Sequence, residues 1–588
     1  MNGFVTFFKV VVRRRFMVFA GLVFAQCGLA ANTFTVNSHD AFADETPGDC
    51  ICAGPIATGG LCGVHTAIVE AEACDGTDTI EIPGEIYHSG SIRITTPIIF
   101  QGLGFGKAPT ILQFTNTSTI DISFESDFFV VEFRNLTLSG GRYISNGKNT
   151  FLKLDQVTVS GFNNDSGGVI KSGGGLKVNS STVVSNFSSG GTISALSDLT
   201  ITDSEMYANN SSSGCGGAIS FNSDHAGNIS NTRIHDNIAQ KGGAICVTAG
   251  DIKITRSSLT NNRASLDGGA IYTDNSGHAY LTNTTVSGNQ ADGNGGAIMV
   301  DSGYVGLASS TVTNNTANAD NADGGSGGGV YKVENLQARL DLKNTILAQN
   351  TYLSGVLVTQ NDCAGEIRSD GFNLIGYRGF GCTVLSGTGD QIGHHTAIDP
   401  LLNPLQTFGA TSVHTLQSGS PAIDAGNMNG CFDYDDTLLV LDQLGVDRLQ
   451  GFKCDIGASE SGYFAGRVLV TPVSGSETTE SGGSSRLTFQ LNGIPAGSVT
   501  VPLTSSNPAE GTIADSVVFP SGINQDQIIY VYGVDDAIVD GDVDYQVITG
   551  AVTSADVRFD GFDPDDVSVT NLDDEVVATE LIFIDSFE

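Results

Sequence analysis

Three charged residues in consecutive copies of a repeat, Asp203, Asp236 and Arg256, are the catalytic candidates of this chain. Cleavage of a polysaccharide by acid–base chemistry needs carboxylates that converge, or calcium with an Arg or Lys base, on one exposed face. Asp203 and Glu205 stand one copy before His235 and Asp236, and Arg256 follows in the next copy. A cleft around Asp203, Asp236 and Arg256 is therefore weighed against the plainer reading, ordinary outward-facing polar residues. The plainer reading is favoured, since no Gly-His-Gly motif stands beside them. The chain also has no Trp to stack on a sugar, although Tyr can replace it. His225, His278, His394, His395 and His414 are scattered, and neighbours such as His394 and His395 point to opposite faces of a strand. The Gly-rich runs lack a following Lys-Ser/Thr and are not phosphate loops.

A second chemistry is calcium binding. Glu480, Asp535, Asp536, Asp540, Asp542, Asp573 and Asp574 could meet at one end of a C-terminal domain. Clustered carboxylates repel one another unless a cation is present. The alternative is a solvated acidic loop, and no other cofactor is indicated. The cysteines after residue 30 number ten and group locally. Cys363–Cys382 and Cys431–Cys454 each close a short loop, and Cys50, Cys52, Cys62 and Cys74 form two further bridges of open connectivity. Cys215 and Cys246 are expected to stay apart. In the repeat frame they differ by five strand positions, about 16 Å, whereas a disulfide needs Cα atoms within roughly 7 Å.

The frame comes from a ladder of Gly-Gly pairs beginning at 167, 190, 216, 242, 268, 295 and 327. The fourth residue of each copy is aliphatic: Ile170, Ile193, Ile219, Ile245, Ile271, Ile298, Val330. The fifth varies freely, from Lys171 to Cys246 to Met299. A fixed aliphatic beside a free neighbour is one buried and one exposed strand face. A second ladder at the same period, such as Thr232-Arg-Ile-His-Asp-Asn237, has an apolar third residue and ends in Asn at 186, 209, 237, 262, 289, 315 and 350. Asn tolerates the left-handed turn region, and stacked Asn side chains can bond from coil to coil. Two strands per period of about 26 residues cannot bury a face alone, whereas stacked coils cover one another. The fold class is all-β: a right-handed, single-stranded parallel β-helix followed by an antiparallel β-sandwich.

Charge and the N-terminus set the compartment. Lys and Arg number 27 against 64 Asp and Glu, a formal net charge of −37. So acidic a chain is no partner for nucleic acid, whose phosphates are held by Lys and Arg. Lys9, Arg13, Arg14 and Arg15, the apolar run Phe16 to Ala25 and the small residues Gly28 and Ala30 read as a signal peptide. No apolar run is long enough for a transmembrane helix.

Several stretches resemble known bacterial families. The Gly-Gly-Ala-Ile copies resemble the repeats of polymorphic outer-membrane proteins. Cys62 to Ile68, followed by Asp78-Thr-Ile-Glu-Ile, resembles the CSLREA domain, of whose signature Cys62, Ala67 and Ile68 survive. Gly419-Ser-Pro-Ala-Ile-Asp-Ala-Gly426 and Cys454-Asp-Ile-Gly-Ala458 resemble the choice-of-anchor Q region, altered at Leu444 and Leu449. Val534 to Tyr545 and Val569 to Glu575 resemble a Calx-β-like sandwich, and the end, Leu581-Ile-Phe-Ile-Asp-Ser-Phe-Glu588, resembles short C-terminal tails of secreted bacterial proteins. None of these resemblances implies one fixed activity.

The resulting organisation is a signal peptide over 1–30, an N-terminal cap over 31–95, β-helix repeats over 96–350, a C-terminal β-helix region over 351–462, a sandwich over 463–576 and a tail over 577–588. The expected function is that of a secreted or outer-membrane-surface protein, non-catalytic and monomeric, in adhesion or matrix contact with an extracellular glycan or surface protein. The alternative is a polysaccharide lyase or glycoside hydrolase acting on acidic polysaccharide along the β-helix groove.

Overall fold

The computed structural model describes residues 31–39, 46–52, 61–104, 109–123, 128–322, 324–379, 381–417, 419–448, 453–461, 468–474, 476–491, 495, 497–523, 525–539, 541–556 and 559–573. The expected signal peptide and C-terminal tail, with Asp540 and Asp574, lie outside these residues.

Each copy of the repeat makes one coil, and its strands enter three parallel sheets. From Gly242-Gly243 the chain enters sheet A at Ile245 and follows it to Thr255. It turns at Arg256, crosses sheet B as Ser258–Thr260, turns at Asn261, and adds Arg263–Ala264 to sheet C before the next Gly-Gly pair. The expected fold class is the one the chain adopts. The two sequence ladders are the first part of sheet A and the whole of sheet B. The second part of sheet A carries its own aliphatic column, Ile201, Ile229, Ile254, Leu281, Leu307 and Leu342, and the short strands of sheet C carry Ala239, Ala264, Ala291 and Ala317, neither of which the two ladders include.

The register follows the aliphatic positions. Ile219, Ile245, Ile271, Ile298 and Val330 pair in succession, as do Val183, Met206, Ile234, Leu259, Val286, Val312 and Leu347, and all are fully buried. One continuous core therefore runs the length of the helix. The coils begin before residue 96, within the expected N-terminal cap, and continue into the expected C-terminal β-helix region. Sheet A begins with Thr33–Thr35 paired to Asp78–Ile82 and ends with Cys382–Leu385, and sheet B runs from Glu85–His88 to Gln391–Ile392. The helix Val64–Ala73 packs at the N-terminal end. Its fully buried Glu70 accepts the backbone N–H groups of Gly48 and Cys50, beside the bonds Cys50–Cys74 and Cys52–Cys62.

The Asn residues stack as a ladder between sheets B and C. Each side-chain amide donates to the Oδ1 of the next, from Asn186 through 209, 237, 262, 289 and 315 to Asn350, at 2.8–3.0 Å. Each Oδ1 also accepts the backbone N–H of the Asn before it. The ladder ends on a carboxyl: Asp362 Oδ1 accepts both the N–H and the amide of Asn350, and Oδ2 accepts Tyr377 N–H at 2.6 Å.

Two expectations about the Gly-Gly frame fail. Cys215 and Cys246 are disulfide-bonded, with Cα atoms 5.5 Å apart. The larger separation assumed an extended chain from 215 to 220. Gly216 instead has φ +79° and turns a corner, so close to the next coil that a Cβ on it would lie 3.0 Å from Cys246 N. The free fifth positions are also not all exposed. Cys246, Tyr272 and Met299 bury one another on the outer surface, with Cys215 and Tyr331 packed beside them.

Residues 398–461 form a strap across the outside of sheet B. The outward hydroxyls there are its docking points: Ser258 Oγ accepts Ser412 N–H at 3.0 Å, Thr285 donates to Gln443 at 2.6 Å, and Thr311 Oγ1 accepts Ala458 N–H at 3.0 Å. Burial pushes the His414 imidazole toward its neutral form. Its Nδ1 then donates to Asn403 O and its Nε2 accepts Ser287 Oγ–H, both at 2.8 Å. Arg448, fully buried, pairs with Glu460 at 2.8 Å and also donates to Asn283 Oδ1 and Gly457 O. Cys431–Cys454 closes the strap and Cys363–Cys382 ties the last coils, with Cα atoms 6.1 and 5.4 Å apart.

Residues 468–573 make a β-sandwich of a four-stranded and a six-stranded sheet, largely antiparallel, around Leu487, Phe489, Val501, Phe519, Val531 and Val547. No helix among the described residues is long and apolar enough to cross a membrane.

Candidate functional site

A cluster of outward aromatic and charged side chains lies on the second part of sheet A. Strict alternation puts Ile252, Ala279, Val305 and Leu340 in the core. Their neighbours then stand in two outward columns. Asp251, His278, Tyr304 and Arg339 are in register in one, and Lys253, Tyr280, Gly306 and Asp341 in the other. The rings of Tyr280 and Tyr304 lie 5.2 Å apart, and His278 meets the Tyr304 ring edge-on at 6.1 Å while its Nδ1 lies 2.8 Å from Asp251. Arg339 lies 5.4 Å over Tyr304 and is held by the buried carboxylate of Asp341.

The strap frames this patch. Gly306 leaves a notch in the second column, where a Cβ would come within 2.8 Å of the Tyr434 ring. Tyr434 sits over it with its hydroxyl 2.8 and 2.7 Å from the carbonyls of Leu307 and Asp341. Lys253 pairs with Asp435 at 2.6 Å and Lys343 with Asp436 at 2.8 Å, on either side of that ring. Burial raises the phenol pKa values of Tyr280, Tyr304 and Tyr434, so all three remain neutral hydroxyls. Half-buried rings with hydroxyls, bordered by one Arg, one Lys and carboxylates, are equipped to stack on and hydrogen-bond a sugar.

The sequence-derived catalytic residues are not gathered by one cleft. Asp203 and Arg256, both at positive φ, occupy the corner before sheet B, and Asp236 the corner after it. Asp203 accepts the side-chain amide of Asn231, five residues before Asp236 across an extended strand, about 16 Å. What does converge is the strand between those corners. His235 Nε2 lies 2.8 Å from Glu205 and Nδ1 2.6 Å from Asp236, Arg233 also pairs with Glu205, and the Tyr207 ring stacks on His235 at 5.0 Å. Hydrogen bonding from His235, with Arg233, holds Glu205 below the usual carboxylate range. Arg233 faces Glu205, the His235 ring bridges Glu205 and Asp236, and Arg233 Nε is buried without a hydrogen-bond partner.

Backbone bonds tie some of the acidic segments of the sandwich to one another. Glu480 N–H reaches Leu572 O, Gly541 N–H the carboxylate of Asp573, and Asp573 N–H that of Asp542. Asp536 accepts Ile538 N–H, and Asp535 is the residue before it. Among the described residues no three His, Cys, Asp or Glu side chains form a group that could hold a metal ion.

Sequence reasoning missed the tyrosine patch because it did not resolve the second part of sheet A. The available signal was the run Gly277 to Thr282 aligned with Gly303 to Ala308, where polar or aromatic residues alternate with Ala, Val and Leu.

The repeat of the Chlamydia polymorphic membrane protein family matches residues 256–274 and 283–301. Both stretches run from the corner at sheet B through the Asn ladder into the next Gly-Gly strand, so the chain carries repeats of that kind in a parallel β-helix. No curated protein sequence matches the chain. Among solved structures, the crystal structure of pectate lyase Pel9A aligns with a TM-score of 0.30 at 12% identity, over 74% of this chain and 98% of that one. So distant an alignment adds nothing to the reading of the site.

Proposed function

We propose that this is a secreted or surface-held β-helix protein that binds an extracellular glycan without cleaving it, through the tyrosine patch on sheet A. The observation that carries the reading is the pair Tyr280–Tyr304 at 5.2 Å, bordered by His278, Lys253 and Arg339 on a chain whose net charge is −37. A sugar offers C–H faces to rings and hydroxyls to charged forks. The separation of Asp203 and Arg256 from Asp236 by the width of sheet B supports the non-catalytic half. The five disulfides suit an oxidising compartment.

The test is a glycan array probed with the mature chain and with Tyr280→Ala, run beside reducing-sugar and unsaturated-product assays on acidic polysaccharides. The reading expects binding that Tyr280→Ala weakens by roughly tenfold, the loss of one stacking contact, and no product. Product formation would overturn the non-catalytic half, and binding indifferent to Tyr280→Ala would overturn the site.

A further inference from the structure

We propose that the hairpin Thr351–Gln360 dips its tip into a zwitterionic lipid surface. Thr351–Ser354 pairs antiparallel with Leu357–Gln360 in a helix whose other coil-to-coil pairs are parallel. Thr351 and Tyr352 continue sheet C on Thr316 and Ala317, and Leu353 to Val358 grow out where the other coils pass from sheet C through a Gly-Gly corner into sheet A. Ser354 pairs with Leu357, leaving a two-residue turn with Gly355 at φ +61°.

The tip is largely apolar, with Ser354 its one polar side chain. Val356, Leu357 and Val358 are 99%, 64% and 69% exposed. Cross-strand pairing puts Leu353 and Val358 on one face and Leu357 on the other, with Val356 at the turn. No flat protein surface covers both faces and the end at once, and an added strand would cover only the main-chain edge. A fluid apolar medium does cover all of them. The ten residues contain no charge, in a chain with 64 acidic residues. That charge balance repels anionic lipid and directs the tip to a zwitterionic one.

The hairpin is also held upright. Asn318 and Asn321, in the preceding coil, donate their side-chain amides to Leu353 O at 2.7 Å and Gly355 O at 2.6 Å. Thr351 and Tyr352 belong to sheet C, so two residues per strand project beyond it, about 7 Å, within the 5–10 Å depth of an interfacial segment. The contact is reversible, since a few aliphatic side chains match at best a single acyl chain.

Vesicle flotation of the intact mature chain with phosphatidylcholine vesicles tests this, at low and high salt. Binding is expected, insensitive to salt, lowered by about tenfold or more in Val356→Asp and raised in Val356→Trp, because Trp favours the interface. Failure of the chain to float, or flotation unchanged in Val356→Asp, overturns the proposal. Sedimentation velocity runs alongside: a dimer abolished by Val356→Asp, without flotation, assigns the tip to a second copy of the chain instead. Glycan binding through Tyr280 is unaffected by either substitution, so the two readings fail separately.

Discussion

Replacing Asn262 by Asp should destabilise the β-helix more than replacing it by Ala, although Asp has nearly the same shape. Asn262 is fully buried. Its Oδ1 accepts two hydrogens from Asn237, the backbone N–H at 3.1 Å and the amide at 3.0 Å. Its amide nitrogen faces three oxygens, Ile234 O at 3.0 Å, Thr260 O at 3.1 Å and Asn289 Oδ1 at 3.0 Å. Ala strands the Asn237 backbone N–H, while the Asn237 amide keeps Met206 O and His235 O, and at about 1–3 kcal/mol for a buried unsatisfied group the cost is about 2 kcal/mol. Asp keeps the acceptor but turns the donating end into a second acceptor against three oxygens. The introduced carboxyl must either stay charged there or take up a proton and satisfy only one of them. At neutral pH its cost therefore exceeds that of Ala. It shrinks on acidification, because a carboxyl whose folded pKa is raised above its unfolded value favours the folded state at low pH. Guanidinium unfolding at pH 5 and pH 8 gives the ranking. Since long coil arrays need not unfold in one step, hydrogen exchange at the Asn237 amide reports the local cost. An Asn262→Asp chain as stable at pH 8 as Asn262→Ala, or more so, would refute the donor–acceptor polarity assigned to the ladder.

Four further outcomes follow from the same contacts. Burial raises the Asp362 carboxyl to about 7, above its unfolded value, so its contribution is complete below about pH 4 and is lost as pH rises to 7. That difference is about 4 kcal/mol; the pH slope of unfolding should flatten in Asp362→Asn, which also sets an N–H of the amide against Tyr377 N–H. Gly306→Val fills the notch under Tyr434 and should expose residues 427–439 to limited proteolysis, with the coils themselves intact. Arg448→Met strands Glu460 in the buried strap and should cost about 3–5 kcal/mol, read as a lowered melting temperature. Non-reducing peptide mapping should recover a Cys215–Cys246 cross-link.

Legibility in the sequence tracked how strictly the fold constrains each residue. Ile219 and its partners, and the Asn run from 186 to 350, recur because each coil repeats the same core and the same buried turn, and a period of about 26 residues exposes both. The second part of sheet A was not legible in the same way. One inward column, Leu199, Gly227, Ile252, Ala279, Val305 and Leu340, shares no residue type, and the aliphatic column two positions on, from Ile201 to Leu342, stands at no fixed distance from its Gly-Gly pair. The Cys215–Cys246 bond was misjudged because strand rise was applied through Gly216, a residue whose positive φ makes it a corner. Asp203, Asp236 and Arg256 failed for a related reason: all three are corner residues at positive φ, chosen by the turn and spread over two edges of sheet B. The residues that do gather, Glu205, Arg233 and His235, lie one or two positions away.

Which face remains open decides what such a helix can do. Sheet C offers mostly strands of two residues beside the Asn ladder, too short for a platform. Sheet B from Ser258 to Thr313 is spent on the strap, and its hydroxyls are bonded to Ser412, Gln443, His414 and Ala458. The strap then reaches around the coils to sheet A through Tyr434, Asp435 and Asp436, and stops at Gly306 and Lys253. It closes one face, and on the next it leaves Tyr280, Tyr304 and His278 half-buried at its margin. A ligand laid along sheet A would thus touch coil residues on one side and strap residues on the other. Loosening the strap, as in Gly306→Val, should therefore weaken glycan binding as well as admit protease, whereas opening the Asn ladder on the far side should lower stability and leave binding by the folded chain unchanged.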